Sequence, residues 1–191
     1  TQADLQRANV ELSGLENIEA AVEQSGIFDS IVEFEAALQQ LSGDPTDSAR
    51  RAAVLSEAET LAAKFNITSG SLSSVGEGLR FNAVANVADM NTYGAELARV
   101  NLRLARAGFG SNDQASLLDQ RDNLLEKMSA FASISTTFAS DGTVAVSVGS
   151  PATSFVSGGN VGTMTSTTAA NGTMGFAIDG AAISPGAGSL A

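Results

Sequence analysis

The chain has 191 residues, with 21 acids against 10 Lys plus Arg, no His and no Cys, for a net charge of −11. An acidic chain without a basic cluster is a poor match for nucleic acid or an anionic membrane. Without His or Cys it also lacks the commonest general base, the commonest metal ligand, thiol nucleophiles and disulfides.

All ten bases and nineteen of the acids fall within residues 1–131, and only Asp141 and Asp179 follow, among many Gly, Ser, Thr and Ala. This divides the chain into a charged helical part, 1–131, and a nearly uncharged β-type part, 132–191. No apolar run reaches the ~20 residues that span a bilayer, and no signal-peptide pattern opens the sequence. Starting without Met and stopping without an ending signal, it reads as an internal piece of a longer protein.

Residues 3–23 read as a helix, with Leu5, Ala8, Leu12, Leu15, Ile18 and Val22 at steps of three or four. Ser25-Gly26 breaks it. Asp29 is the expected N-cap of a short helix whose apolar face is Ile31, Phe34, Leu38 and Leu41, and Ser42-Gly43-Asp44-Pro45 stops that helix.

Asp47 should cap a much longer helix reaching about Ala107. Its seam runs from Ala58, Leu61 and Phe65 through Leu72, Val75, Leu79, Ala83, Val87 and Met90 to Leu97 and Leu104, with Thr68 and Gly94 as small fillers. One helix of that span measures roughly 90 Å and needs a partner along its length, from this chain or from copies of it. Gly70, Gly76, Gly78 and Gly94 mark expected bends or close contacts, and a break near Gly76-Glu77-Gly78 is the alternative. Arg50 and Arg51 sit poorly in a positive first turn, so acidic neighbours should compensate them.

Gly108-Phe109-Gly110 ends that helix, and Ser111 with Gln114 forms a capping pattern for the next. This helix places Leu117, Arg121, Leu124, Met128 and Phe131 on one face and should fold back antiparallel to the long one.

After Ser133 the period becomes two. Asp141-Gly142 should turn a hairpin between strands ending at Phe138 and starting at Val144, with φ > 0 at both central positions. Further strands are expected at 153–157, 161–167 and 173–179, with Asn171-Gly172 turning the last pair and Pro185-Gly186 closing the region. No Lys blunts an edge, so missing sequence or neighbouring subunits should cover part of this sheet. The expected fold is therefore α+β: an elongated antiparallel helical hairpin or bundle with one very long helix, then a small antiparallel β region.

Motifs for chemistry are weak. Gly158-Gly159-Asn160-Val161-Gly162 lacks the Lys-Ser/Thr and the helix of a phosphate loop and reads as a turn. Asp119 and Asp122 share a helix face, but ion pairing around Arg121 explains them better than a cation site. The triplets at Asn66 and Asn171 fit a glycosylation acceptor only as chance patterns do. Catalytic, cofactor and metal residues are all read as none.

Several stretches carry a resemblance: DSIVEFEAALQQLSGDPTDSARR at 29–51, VLSEAETLAAKFN at 54–66, Asn112-Asp113, LLDQRDNLL at 117–125 and TFASDGTVAVSVG at 137–149. Taken in order, they resemble the family of flagellar hook-associated protein 1, the first hook–filament junction protein of the bacterial flagellum. The Leu-Asp-Gln-Arg-Asp piece is the most specific.

The resemblance implies an extracellular structural protein, exported unfolded through the flagellar type III apparatus and forming a ring between hook and filament. Its implied partners are the hook protein, the second junction protein and copies of itself, with an export chaperone acting through the region C-terminal to this segment. Lacking the terminal assembly helices, the segment should be monomeric or weakly oligomeric. Arg99, Arg103 and Arg106 form a charged face that would meet acidic surfaces on adjacent subunits, or else a solvated stripe of intrahelical ion pairs. The second junction protein and flagellin share the long-helix architecture, and a secreted adhesin module is the reading from another class.

Overall fold

The computed structural model describes residues 2–107 and 110–191. Four helices come first among them: α1 (Gln2–Gln24), α2 (Ile27–Gly43), α3 (Ser48–Leu104) and α4 (Asn112–Ser129). Short strands follow as β1 (Ile134–Phe138), β2 (Val144–Val148), β3 (Thr153–Ser157), β4 (Asn160–Val161), β5 (Met164–Thr168), β6 (Met174–Ile178) and β7 (Ala181–Ile183). This is the expected α+β order of one very long helix, a second helix antiparallel to its end, and a small antiparallel β region. Among the described residues no helix is long and apolar enough to cross a membrane. The residues cluster as two compact units, Leu12–Leu79 and Thr1–Glu11 with Arg80–Ala191.

Helix α3 runs 57 residues without a break at Gly76-Glu77-Gly78, a contour of about 85 Å. Asp47 caps it as expected, Oδ1 accepting from Ala49 N at 2.8 Å and Arg50 N at 3.3 Å. The misplaced first-turn cations are compensated partly by Asp47, 3.6 Å from Arg50 Nε. Backbone carbonyls do the rest: Arg50 donates to Gln40 O and Arg51 to Pro45 O, both at 2.7 Å. The helix ends at Leu104, short of Ala107, and of the expected Gly108-Phe109-Gly110 stop the first two lie outside the described residues.

Within Leu12–Leu79 the apolar faces depart from expectation. Asp29 does not cap α2; the helix starts at Ile27 after Gly26, whose φ of +67° turns the chain, and Ser25 Oγ accepts from Ile27 N. Asp29 lies in the first turn instead, where a carboxylate still suits the helix dipole. The packed stripe of α2 is Ile27, Ser30, Phe34, Ala37 and Leu41, which leaves Ile31 and Leu38 exposed.

Helix α1 likewise packs through small residues, Gly14 buried and Ala21 half-buried, while Leu12, Leu15 and Ile18 are exposed. A Cβ at Gly14 would already touch the Leu79 side chain at 3.9 Å. Small side chains allow that approach, and the leucines are turned outward. Along the first half of α3, Phe65, Leu72 and Leu79 of the expected seam are also exposed, whereas Thr68 is buried.

The other unit has the core. Val87, Met90, Leu97 and Leu104 of α3 meet Leu117, Leu124 and Met128 of α4, and both meet the inward side chains of the strands, Val144, Val146, Val148, Phe155, Met164 and Ile178. Two antiparallel sheets form, in the orders β1-β2-β3-β4 and β5-β6-β7, joined by a bridge between Ser150 and Ser184. Alternation in β2, with Val144, Val146 and Val148 inward, gives the expected half-buried strand.

Three strand details differ. The single strand expected at 161–167 is two: Gly162 lies so close to β6 that a Cβ would fall 2.7 Å from Asp179 Oδ2, and there the chain passes from one sheet to the other. Strand β7 had no alternating apolar signal and was not expected. The hairpin turns have φ > 0 only at Gly142 and Gly172, not at both central residues.

In each turn the glycine N–H bonds the carbonyl three residues back, Ala139 or Ala169, as in a type I turn followed by a left-handed glycine. Asp141 and Asn171 each accept from the backbone N–H two residues on, at Thr143 and Thr173. The two hairpins are thus built alike, Ala139-Ser140-Asp141-Gly142-Thr143 beside Ala169-Ala170-Asn171-Gly172-Thr173.

These contacts have measurable consequences. Gly94→Ala would put a Cβ 2.7 Å from the Phe155 ring and 3.0 Å from Val161 Cγ2, and should cost about 1–3 kcal/mol in denaturant unfolding. Gly70 has nothing within 4 Å, so Gly70→Ala should stabilise by about 0.5–1 kcal/mol. The Asp141 carboxyl is held below its ordinary range by the Thr143 backbone N–H and then by the Thr143 hydroxyl. Its support for the turn is therefore present above the unfolded carboxylate's range and lost as pH falls through the lowered value. Acidification should shift the Gly142 amide resonance and leave Gly172, beside an asparagine, unmoved.

Candidate functional site

The three arginines of the charged face fall at the C-terminal end of α3. Arg99 and Arg103, one helical turn apart, line an open groove of about 580 Å³ between α3 and α4. Arg106 follows the helix end and is exposed, its N–H bonded to Arg103 O; it is not among the groove residues. The groove pairs α3 positions Glu96, Arg99 and Arg103 with α4 positions Ser116, Asp119, Gln120 and Lys127 over a floor of Val100 and Leu124. Lys127 is placed by its Nζ lying 5.5 Å over the Tyr93 ring, itself stacked on Phe131 at 6.0 Å. No ion pair within 4 Å holds Arg99 or Arg103 among the described residues, so their charge faces the groove and solvent.

Arg121 behaves differently from these. Its side chain is only 13% exposed and is bound on three sides. Nη1 donates to Gly142 O at 2.6 Å, Nε and Nη2 contact Asp122 Oδ1 at 2.8 and 2.7 Å, and the guanidinium lies 4.8 Å over Phe138. Gly142 in turn sits against Leu118, where a Cβ would come within 2.9 Å. The Leu-Asp-Gln-Arg-Asp stretch and the Asp-Gly hairpin are therefore packing partners. The fork geometry of Arg suits a carbonyl and a carboxylate at once, which Lys could not match. Asp119 and Asp122 part company here, Asp122 pairing with Arg121 and Asp119 facing the groove.

Two asparagines fix the sheets to α3. Asn101 donates Nδ2 to Val144 O at 2.8 Å and to Gly158 O at 3.0 Å, and its Oδ1 accepts from Val144 N at 3.0 Å. Asn91 does the same for Met164, donating to its carbonyl at 2.9 Å and accepting from its N–H at 2.8 Å. Each amide imitates a strand neighbour, so a helix side chain satisfies strand-end backbone groups that burial would otherwise leave unpaired. Sequence reasoning missed both. The signal was there for Asn101, a polar residue at the seam step between Leu97 and Leu104.

A long helix with a charged groove along its C-terminal part, and small sheets locked to it by side-chain amides, defines a helical domain with an appended β region. Residues 12–188 match the helical domain of the flagellar hook-associated protein FlgK, and the chain belongs to that family. It is 28% identical over 131 residues to flagellar hook-associated protein 1 of Bacillus subtilis, covering 69% of this chain and 26% of that protein. It is also 28% identical over 138 residues to the Salmonella typhimurium protein of the same name, covering 70% and 24%. The chain thus spans about a quarter of the length of these relatives. Its fold is that of the flagellar hook junction protein FlgK from Burkholderia pseudomallei, with a TM-score of 0.73 at 20% identity over 97% of this chain and 37% of that one.

Asn101 yields the prediction for this arrangement. Asn101→Ala leaves the N–H and carbonyl of buried Val144 without the Asn101 amide, while the carbonyl of exposed Gly158 turns to water, at about 1–3 kcal/mol for each buried group. Urea unfolding should therefore show a loss of at least about 2 kcal/mol, with α-helical signal retained in the folded baseline.

Proposed function

We propose that the chain is part of the hook–filament junction of the bacterial flagellum, outside the cell, and acts through contacts between subunits without catalysis. The observation that carries this reading is the family match across residues 12–188, supported by the similarity to flagellar hook-associated protein 1 of Bacillus subtilis and Salmonella typhimurium. The structure adds a physical argument: α1 and the first half of α3 expose apolar side chains at helical spacing, among them Leu12, Leu15, Phe65 and Leu72. Faces of this kind suit contact with other helices.

In this reading the helical part, 1–131, carries most of the subunit contacts and the strands of 132–191 form the outer part; helix gives way to strand between Ser129 and Ile134. The partners are the hook protein, the second junction protein and further copies of the same protein, after export with a chaperone. Arg99 and Arg103 in their groove, with Arg106 beyond it, meet carboxylates of an adjacent subunit.

Deleting the parent gene should leave bare hooks in electron micrographs and filament protein free in the medium; normal attached filaments would contradict the junction role. In the full-length protein, Arg99→Glu/Arg103→Glu should lower the fraction of hooks bearing filaments while the protein is still exported. Unchanged assembly would remove these arginines from the interface and leave the junction role standing.

A further inference from the structure

The hairpin turns at Gly142 and Gly172 are built alike, but the side chain before the glycine is a carboxylate at Asp141 and an amide at Asn171. An amide in that place has chemistry of its own, because the next main-chain nitrogen can reach its carbon and close a small imide ring. A glycine obstructs that approach least, having no Cβ. Of the chain's asparagines only Asn171 is followed by glycine. Asn160 is also exposed, but β-branched Val161 follows it. The amides of Asn91 and Asn101 are engaged through both polar atoms by strand backbone. Asp141-Gly142 and Asp179-Gly180 would have to expel an oxide from an ionised carboxylate, which leaves far less readily than ammonia.

Asn171 is exposed at the tip of the β5–β6 hairpin, beyond its last strand pair, Thr168 with Met174. Hydrogen bonds hold the turn there: Ala169 N–H to Thr173 O at 2.8 Å, Gly172 N–H to Ala169 O at 2.9 Å, and Thr173 N–H to Asn171 Oδ1 at 3.0 Å. The turn must open before the Gly172 nitrogen meets Asn171 Cγ, and a solvated tip opens at lower free energy than the sheet behind it. Arg80 Nη1 lies 3.3 Å from where a Cβ on Gly172 would stand, a cation that favours negative charge beside it. Asp141 shows how such a turn holds a carboxylate: its Oδ1 accepts from the Thr143 N–H at 2.9 Å and from the Thr143 hydroxyl at 2.7 Å. Thr173 has the same two donors.

We propose that Asn171 is a site of spontaneous deamidation, and that the turn accepts the aspartate it becomes as it accepts Asp141, beside Arg80. The Gly172 nitrogen gives up its proton and bonds to Asn171 Cγ; the Cγ–Nδ2 bond breaks and ammonia leaves with an equivalent proton. Water then opens the ring. Addition at Cγ gives aspartate, and addition at the Asn171 main-chain carbonyl gives an isoaspartyl link, whose added backbone methylene does not suit the Gly172-to-Ala169 bond. Either product puts a carboxylate into a stretch, 132–191, whose other acids are Asp141 and Asp179. This reactivity is independent of the junction role.

The purified chain, held at neutral and at mildly alkaline pH, is followed by mass-spectrometric peptide mapping and by methyltransferase labelling of isoaspartate. The segment around Asn171 should gain the mass of an amide-to-acid exchange, faster at the higher pH and ahead of every other asparagine. Asn171→Gln should abolish the gain, since the longer side chain closes its ring far more slowly. The Asn171→Asp variant should keep the β5–β6 pairing and its urea midpoint, and acidification should then move the Gly172 amide resonance as it does Gly142. No gain at Asn171, an equal gain at Asn160, or a rate that does not rise with pH would overturn the site. Loss of the β5–β6 pairing in Asn171→Asp, or a Gly172 resonance indifferent to acid, would overturn the aspartate's place in the turn.

Discussion

A helix as long as α3 depends on what is laid against it, because hydrogen bonds within an isolated helix leave it marginal in water. The second half of α3 meets that condition: from Val87 to Leu104 its seam is buried with side chains of α4 and both sheets. In the first half Phe65 and Leu72 of the same seam are exposed. Most other features follow from this difference. The core, the asparagine clamps and the groove belong to the covered half, and the unpartnered apolar faces belong to the helices of Leu12–Leu79.

Over the covered half the packing leaves little freedom. Gly94 admits the Phe155 ring where no Cβ fits, and the amides of Asn91 and Asn101 hold the first residues of β5 and β2 ten helical positions apart. Arg121 ties α4 to the turn between β1 and β2. These polar contacts are directional and partly buried, so they determine which strand residue meets which helix residue, whereas apolar burial alone would tolerate sliding. A β region with almost no charge can thus be held in a set position on a charged helix.

Much of this was legible in the residues. The seam steps of three and four, the Asp47 and Ser111 caps, the Asp44-Pro45 stop and the two β-turn dipeptides located the helices and the first strands closely. What escaped was the direction of faces that the chain itself does not bury. Periodicity identifies an apolar stripe but not its partner: Leu12 and Leu15 of α1 mark a helical stripe and are exposed, while Gly14 makes the contact. On α2 two overlapping stripes competed, and the one with Ile27 and Ala37 was buried. The amide clamps depend on residues 43 and 73 positions apart in the sequence, a pairing that no local pattern reports.

The proposed role, contact between subunits, would use the uncovered helical faces of Leu12–Leu79. The most direct test is native-state hydrogen exchange along α3. The amides of residues 87–104 should exchange only with global unfolding, while those of residues 52–79 should exchange through a lower-energy opening of Leu12–Leu79. Uniform protection along the whole of α3 would contradict the account, because it would mean that the first half needs no covering partner.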